Sequence, residues 1–290
     1  MFFIAVIETE TAAINIKATA TFLLSSNGLG YLQNIQPLSF VMSLYDARVA
    51  SAYKTGVSLL PWRRWAEPWT YHQVLGDIAG KDILDAACGV GVVSLMMADL
   101  GAGSVTGVDI SSAMIDRAKL DSTAPVINYI NCDFSDYQAA SPHDIAVSSF
   151  IVNEAETVEQ LGLFVRAFHR NLKVKGKLAL VLDIPDRLQG VDHSSYGYRF
   201  SLPEGRMKDE DRFKLYIDVD KSLVELELSY FSYSTIRNIL EENGFQEVAF
   251  TPLMVPEEAH RAMPSDYWDM MICRPGLFVV SAIKMSKSQL

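Results

Sequence analysis

From the segment GKDILDAAC onward, short apolar and β-branched runs alternate with longer stretches in which apolar residues recur at helical spacing. Unbroken or alternating apolar runs mark strands, and a three-to-four-residue recurrence marks amphipathic helices. Their alternation predicts βαβ units built on a parallel sheet. The predicted strands are Asp82–Ala87, Ser104–Ile110, Ile127–Phe134, Asp144–Val152, Lys177–Ile184, Gln246–Val255 and Leu277–Lys284, seven in all.

Between them, Val92–Leu100 reads as a buried helix stopped by Gly101, and Ser112–Leu120 as a helix capped by Ser111. The strongest helical signal runs from Thr157 to Lys175. Thr157 and Gln160 have capping-box spacing, and Val158, Leu161, Phe164, Val165, Phe168 and Leu172 share one face. Lys173, Lys175 and Gly176 close its end, and His169 falls on its surface. A last helix, Tyr233–Asn243, starts after Ser232 and ends at Gly244.

Residues 185–231 break the alternation. Phe213, Leu215, Ile217 and Val219 alternate with polar neighbours, as do Val224, Leu226, Leu228 and Tyr230, so two half-buried strands joined at Asp220, Lys221 and Ser222 form an antiparallel hairpin. This insertion is expected to act as a substrate lid or added sheet layer. The divisions that follow are an N-terminal helical extension (1–40), a helical cap segment (41–76), a cofactor-binding half (77–184), the lid insertion (185–231) and a C-terminal part (232–290).

At 290 residues and 49% hydrophobic content, the chain is long enough to bury one large core. A net charge of −10 argues against a nucleic-acid partner, because that affinity rests on clustered Lys and Arg. The three cysteines, Cys88, Cys132 and Cys273, have no metal-ligand spacing and read as free thiols of a reducing compartment, hence a cytoplasmic location and no metal. The start MFFIAVIETE lacks a basic n-region and turns acidic by Glu8, which fits neither a signal peptide nor a spanning helix. No membrane partner is expected, and the extension is a candidate for self-association.

In an open α/β sheet the ligand lies beyond the carboxyl ends of the strands. Those ends carry polar groups here: DAACGVG after the first strand, GVDIS after the second and NCDFSDY after the third. Gly89 and Gly91 permit close approach of backbone to ligand. Asp109, eighteen positions after Gly91, is placed to accept both hydroxyls of a ribose, and Asp133 with Phe134 to meet an adenine. Asp85 beside the loop would repel a pyrophosphate but suits an ammonium, and Ser94 stands where a dinucleotide fingerprint wants its third small residue. Both features disfavour a nicotinamide cofactor, and a ligand with an ammonium, a sulfonium and no phosphate fits.

With LDAACGVGVVS, GVDISSAMIDRAK, NCDFSDY and HDIAVSSFIVNEAET in place, the chain from about Tyr45 onward resembles the class I S-adenosylmethionine-dependent methyltransferases. The upstream YDARVASAYKTG and LPWRRWAEPW and the tail YWDMMICRPG resemble the small-molecule subgroup similar to toxoflavin-type enzymes of secondary metabolism. The resemblance implies a Rossmann-like α/β fold, a seven-stranded, mostly parallel sheet with an antiparallel last strand, and S-adenosyl-L-methionine as cofactor. It implies cofactor contacts at Asp85, Gly89, Gly91, Asp109, Ile110, Met114, Asp133, Phe134 and Ser149, and Tyr53, Arg64 and Ala87 are further candidates for the cofactor site. Ala87 replaces the first glycine common in the family.

The expected reaction is methyl transfer to nitrogen or oxygen of a small molecule. A non-methylating cyclase or rearrangement enzyme that keeps the cofactor, and an NAD-dependent reductase, stand as alternatives. Cys88 and Cys132 read as small core fillers, and the cluster Trp62, Arg63, Arg64, Trp65, Trp69 and Tyr71 as an amphipathic segment over the sheet, with Arg64 reaching toward a carboxylate. No catalytic residue declares itself. Glu154, with Asn153, follows the strand end where the methyl would emerge, and His193 lies in the lid region, where a lone exposed loop histidine is the commoner case.

Overall fold

In the computed structural model, residues 60–122, 124–219 and 222–286 are described. The predicted 1–40 extension and Tyr53 lie outside them. The described chain opens with a π-helical turn, Trp62–Ala66, that continues as α1 (Glu67–Leu75). There follow β1 (Asp82–Ala86), α2 (Val92–Asp99), β2 (Ser104–Asp109), α3 (Ser112–Asp121), β3 (Ile127–Asn131) and β4 (His143–Ser149). Then come α4 (Ile151–Glu154), α5 (Val158–Asn171) and β5 (Leu172–Asp183). The insertion supplies β6 (Tyr198–Ser201), β7 (Arg212–Val219) and β8 (Ser222–Ser229), and α6 (Tyr233–Glu242), β9 (Phe245–Pro252), α7 (Glu257–Ala262), α8 (Asp269–Cys273) and β10 (Leu277–Lys284) complete the fold.

The main sheet has seven strands in the order β3-β2-β1-β4-β5-β10-β9. The first five pair in parallel, and β10 runs antiparallel to both β5 and β9. Apolar runs produce this because both faces are covered: Ile83, Leu84 and Ala86 of β1 are fully buried, as are Leu178 to Leu182 of β5. Strand order reverses between β1 and β4, which puts the ligand crevice outside their carboxyl ends.

Local capping signals set the helices. Ser111 Oγ accepts from Met114 N–H, Thr157 Oγ1 from Gln160 N–H, and Ser232 Oγ from Thr235 N–H. Several predicted boundaries move: the third strand stops at Asn131 and the one before the last at Pro252, and two further shifts have identifiable reasons. The strand expected to reach Val152 stops at Ser149, because Phe150 takes a left-handed φ of 72° with its N–H donating to Val181 O, and the chain turns into α4. The helix expected to reach Lys175 stops at Asn171, whose side-chain amide donates to the carbonyls of Ala167 and Tyr137. Leu172 already pairs with His143 as β5 begins.

The predicted hairpin is β7 and β8, with Phe213 opposite Leu228, Leu215 opposite Leu226 and Ile217 opposite Val224. Those six apolar side chains are buried. β6, which the periodicity did not announce, pairs with β7 to make a three-stranded antiparallel sheet. Among the described residues no helix is long and apolar enough to cross a membrane.

Candidate functional site

The turn after β1 is built from left-handed backbone. Ala87, Gly89 and Gly91 have φ values of 51°, 53° and 80°. An L-residue in this region carries strain, and Ala87 bears it where glycine would not. Gly89 and Gly91 differ in what surrounds them. A Cβ at Gly91 would collide with the Tyr129 hydroxyl, so that glycine is required by packing. A Cβ at Gly89 would meet no protein atom within 4 Å, although Gly89 lines the large cavity at the sheet edge. Space left there by the protein is space for a ligand.

That cavity has a volume of about 360 Å³. One wall is the carboxyl edge of the sheet: Ala87, Gly89, Asp109, Asp133, Phe134 and Ser149. The other is the inserted sheet, through Leu215, Ile217, Leu226 and Leu228, with Glu154, Gln160 and Phe164 between. Asp109 is fixed from two sides, its Oδ2 accepting from Gly89 N–H and its Oδ1 from Ser111 N–H, each at 2.8 Å. Burial pushes its carboxyl above the ordinary value, and those two hydrogen bonds pull it back. Each oxygen keeps a second lone pair, which is what a ribose diol needs. Asp133 Oδ1 accepts from Ser135 N–H at 2.8 Å, and Phe134 packs 4.5 Å from Phe168.

The cavity collects Ala87, Gly89, Asp109, Ile110, Met114, Asp133, Phe134, Ser149 and Glu154 of the residues singled out from sequence. Four others sit elsewhere, among them Gly91, whose open side faces Tyr129 and not the cavity. Asp85 is buried beneath the turn, not on the cavity wall, with Oδ2 accepting from Ser94 Oγ at 2.6 Å and Oδ1 unpartnered. Burial raises it to about 7. Arg64 points outward over Trp65, and the inward cation is Arg63. Arg63 donates to both oxygens of Glu67 at 2.7 Å and to Ser149 Oγ at 3.2 Å, tying the cap helix to the end of β4. His193 is not the exposed loop residue expected from sequence: it is fully buried, stacked on Tyr198, with Nε2 3.1 Å from Arg274 O, and it does not line the cavity.

Sequence reading missed Phe150, Gln160 and Phe164 as cavity residues. Phe164 belongs to the predicted core stripe, and midway along α5 it serves both core and cavity. The apolar alternation in the hairpin was the signal available for the opposite wall.

Residues 83–176 match the family described as "Methyltransferase domain". The chain is 24% identical over 213 residues to N-demethylindolmycin N-methyltransferase of Streptomyces griseus, covering 71% of this chain and 89% of that one. It is 28% identical over 170 residues to the cypemycin N-terminal methyltransferase of a Streptomyces species, covering 57% and 66%. The fold resembles an S-adenosylmethionine-dependent methyltransferase from Mesorhizobium loti, with a TM-score of 0.54, 20% identity and coverage of 76% and 98%. It also resembles the CcbJ methyltransferase of Streptomyces caelestis, with a TM-score of 0.57, 13% identity and coverage of 84% and 98%. Gly89, Asp109 and Asp133 are thus gathered on one cavity at the strand-order reversal of this sheet, within a chain that carries a methyltransferase domain at residues 83–176 and has the fold of S-adenosylmethionine-dependent methyltransferases.

Proposed function

We propose that the chain methylates nitrogen or oxygen of a small organic acceptor, in the cytoplasm and within secondary metabolism. The observation that carries this reading is the single cavity whose one wall is the cofactor edge of the sheet and whose other wall is the apolar face of the inserted hairpin. An apolar lid suits the apolar body of an acceptor and excludes water from the transfer. The two similar Streptomyces enzymes are named for N-demethylindolmycin and for the N-terminus of cypemycin, and the first of them favours a small molecule.

In this reading Asp109 accepts the ribose hydroxyls, Asp133 and Phe134 flank the adenine, and Gly89 leaves room for the methionine chain. Asp85 holds the turn from below through Ser94. When bound, S-adenosylmethionine supplies a methyl already activated on positive sulfur. The protein's share is then alignment: the lid and the segment 150–164 hold the acceptor in line with that methyl. Glu154, on the cavity wall, orients polar hydrogens of the acceptor.

Incubation with methyl-labelled cofactor and a fractionated metabolite extract tests the proposal, with label expected in one small molecule and S-adenosylhomocysteine formed in equal amount. Product without S-adenosylhomocysteine would favour the non-methylating reading, and tighter binding of NAD than of S-adenosylhomocysteine would favour the reductase. Asp109→Ala is expected to weaken S-adenosylhomocysteine binding by about 1–3 kcal/mol, the cost of leaving buried polar groups unmet. Calorimetry reads this directly, and unchanged affinity would remove Asp109 from the ribose site.

A further inference from the structure

The sheet edge holds a second group of polar atoms that the cofactor cavity does not use. β5 ends at Asp183, which is 1% exposed and, among the described residues, has no hydrogen-bond partner on either carboxylate oxygen. Tyr198 Oη, Trp62 Nε1 and His193 Nδ1 are also buried and unpartnered. The rings form one cluster, with His193 stacked on Tyr198 at 5.2 Å and Trp62 meeting Tyr198 edge-on at 6.2 Å. Burial raises the Tyr198 hydroxyl well above its ordinary value, and the Asp183 charge adds to that. Each unmet buried polar group costs about 1–3 kcal/mol, so a concentration of them calls for a partner that arrives later.

The cluster adjoins the cofactor cavity. Trp62 meets Phe150 edge-on at 6.4 Å, and Phe150 lines the cavity. β4 and β5 are neighbours, with Ser149 opposite Val181. Asn153 fixes Asp183 to the same segment: its Oδ1 accepts from Asp183 N–H at 2.8 Å, and its Nδ2 donates to Asp183 O at 3.0 Å and to Ser229 O at 3.1 Å. Arg63 is the cation whose charge reaches Asp183, but its guanidinium is engaged by Glu67. Burial holds the His193 imidazole below its ordinary pKa, so it offers no competing charge.

A carboxylate without a donor whose charge reaches Tyr198, a ring packed edge-on against Trp62, has the chemistry that receives an organic ammonium: N–H groups to the carboxylate and the cation against the ring faces. We propose that Asp183, with Tyr198 and Trp62, is the acceptor subsite and that the acceptor is an amine whose proton Asp183 accepts; this rests on the methyl-transfer reading. The bound ammonium passes one proton to the Asp183 carboxylate and regains its lone pair. The amine nitrogen then forms the new carbon–nitrogen bond as the methyl–sulfur bond breaks and its electron pair stays on sulfur. The methylated ammonium departs, and Asp183 releases its proton to solvent.

The test titrates benzylamine and tryptamine, with benzyl alcohol as the neutral match, into the full chain saturated with S-adenosylhomocysteine. Both amines are expected to bind at least tenfold more tightly than the alcohol. Asp183→Asn is expected to lose at least tenfold in amine affinity while S-adenosylhomocysteine affinity changes less than twofold. Titration near pH 7 in buffers of different ionisation enthalpy is expected to show proton release on amine binding to the native chain and none with Asp183→Asn. Tyr198→Phe, which keeps the ring, should weaken the amines at least threefold and decides the matter if Asp183→Asn does not fold. Amines that bind no better than the alcohol, or equally well to the variants, overturn the proposal with methyl transfer intact. Failure of the native chain to bind S-adenosylhomocysteine overturns both.

Discussion

Arg63→Ala is expected to destabilise the fold by about 3–5 kcal/mol, the cost of removing one partner of a buried ion pair. Arg63 and Glu67 have side chains 4% and 0% exposed and meet at 2.7 Å. Removing the guanidinium leaves the Glu67 carboxylate in the core with, among the described residues, only the Ser149 hydroxyl as donor at 2.9 Å. It also removes the cation lying 4.7 Å over Trp62 and 5.3 Å over Phe150. Urea unfolding measures the loss, and S-adenosylhomocysteine binding should weaken with it, because Ser149 is on the cavity wall. The neighbouring Arg64→Ala is the control: Arg64 is exposed, and a surface change of this kind falls within about 0.5 kcal/mol. Equal effects at 63 and 64 would contradict the inward assignment of Arg63.

That pair also shows where sequence reading stops. WRRW offers two arginines one position apart, and helical periodicity cannot choose between them once the turn is π-helical, because a wider turn shifts which side chain faces the sheet. The same limit explains Phe150. A left-handed φ is advertised by glycine and not by phenylalanine, so nothing in SSFIVNE announced that the strand would end there. His193 is buried by Tyr196, Tyr198 and Phe200 from an insertion whose packing has no local code. What was legible was local: the caps at Ser111, Thr157 and Ser232, the apolar strands, and the carboxylates at the ends of β2 and β3. Asp109 and Asp133 reach one cavity because parallel strands in a βαβ order must end at the same edge. Asp183 was invisible as a functional candidate because its distinguishing property, two oxygens without donors, exists only after folding.

Asp85 should make the free protein less stable as pH rises from about 4 to about 7. Burial lifts its carboxyl from 3.8 to about 7; the charges of Asp109 and Glu67 add to this, while the Ser94 hydrogen bond and Arg63 oppose it. At 1.36 kcal/mol per pH unit, ionising Asp85 inside the fold costs about 4 kcal/mol. Below the unfolded value, near 3.9, the carboxyl is neutral in both states and the cost is absent. Above it the unfolded chain ionises first, so stability falls until the folded carboxyl also ionises at about 7, and then levels off. Asp85→Asn cannot ionise. Its unfolding free energy relative to the native chain should therefore climb between pH 4 and 7 on top of a constant offset from the altered Ser94 contact. Asp183, lifted by burial to about 8 against the opposing Arg63 charge, gives a second difference curve that should flatten about one pH unit higher. Urea unfolding of the native chain, Asp85→Asn and Asp183→Asn across pH 4 to 9 separates the two carboxyls by where each curve levels. A flat difference for Asp85→Asn would mean that water reaches the carboxylate beneath the turn, and that the turn is held open and not supported from below.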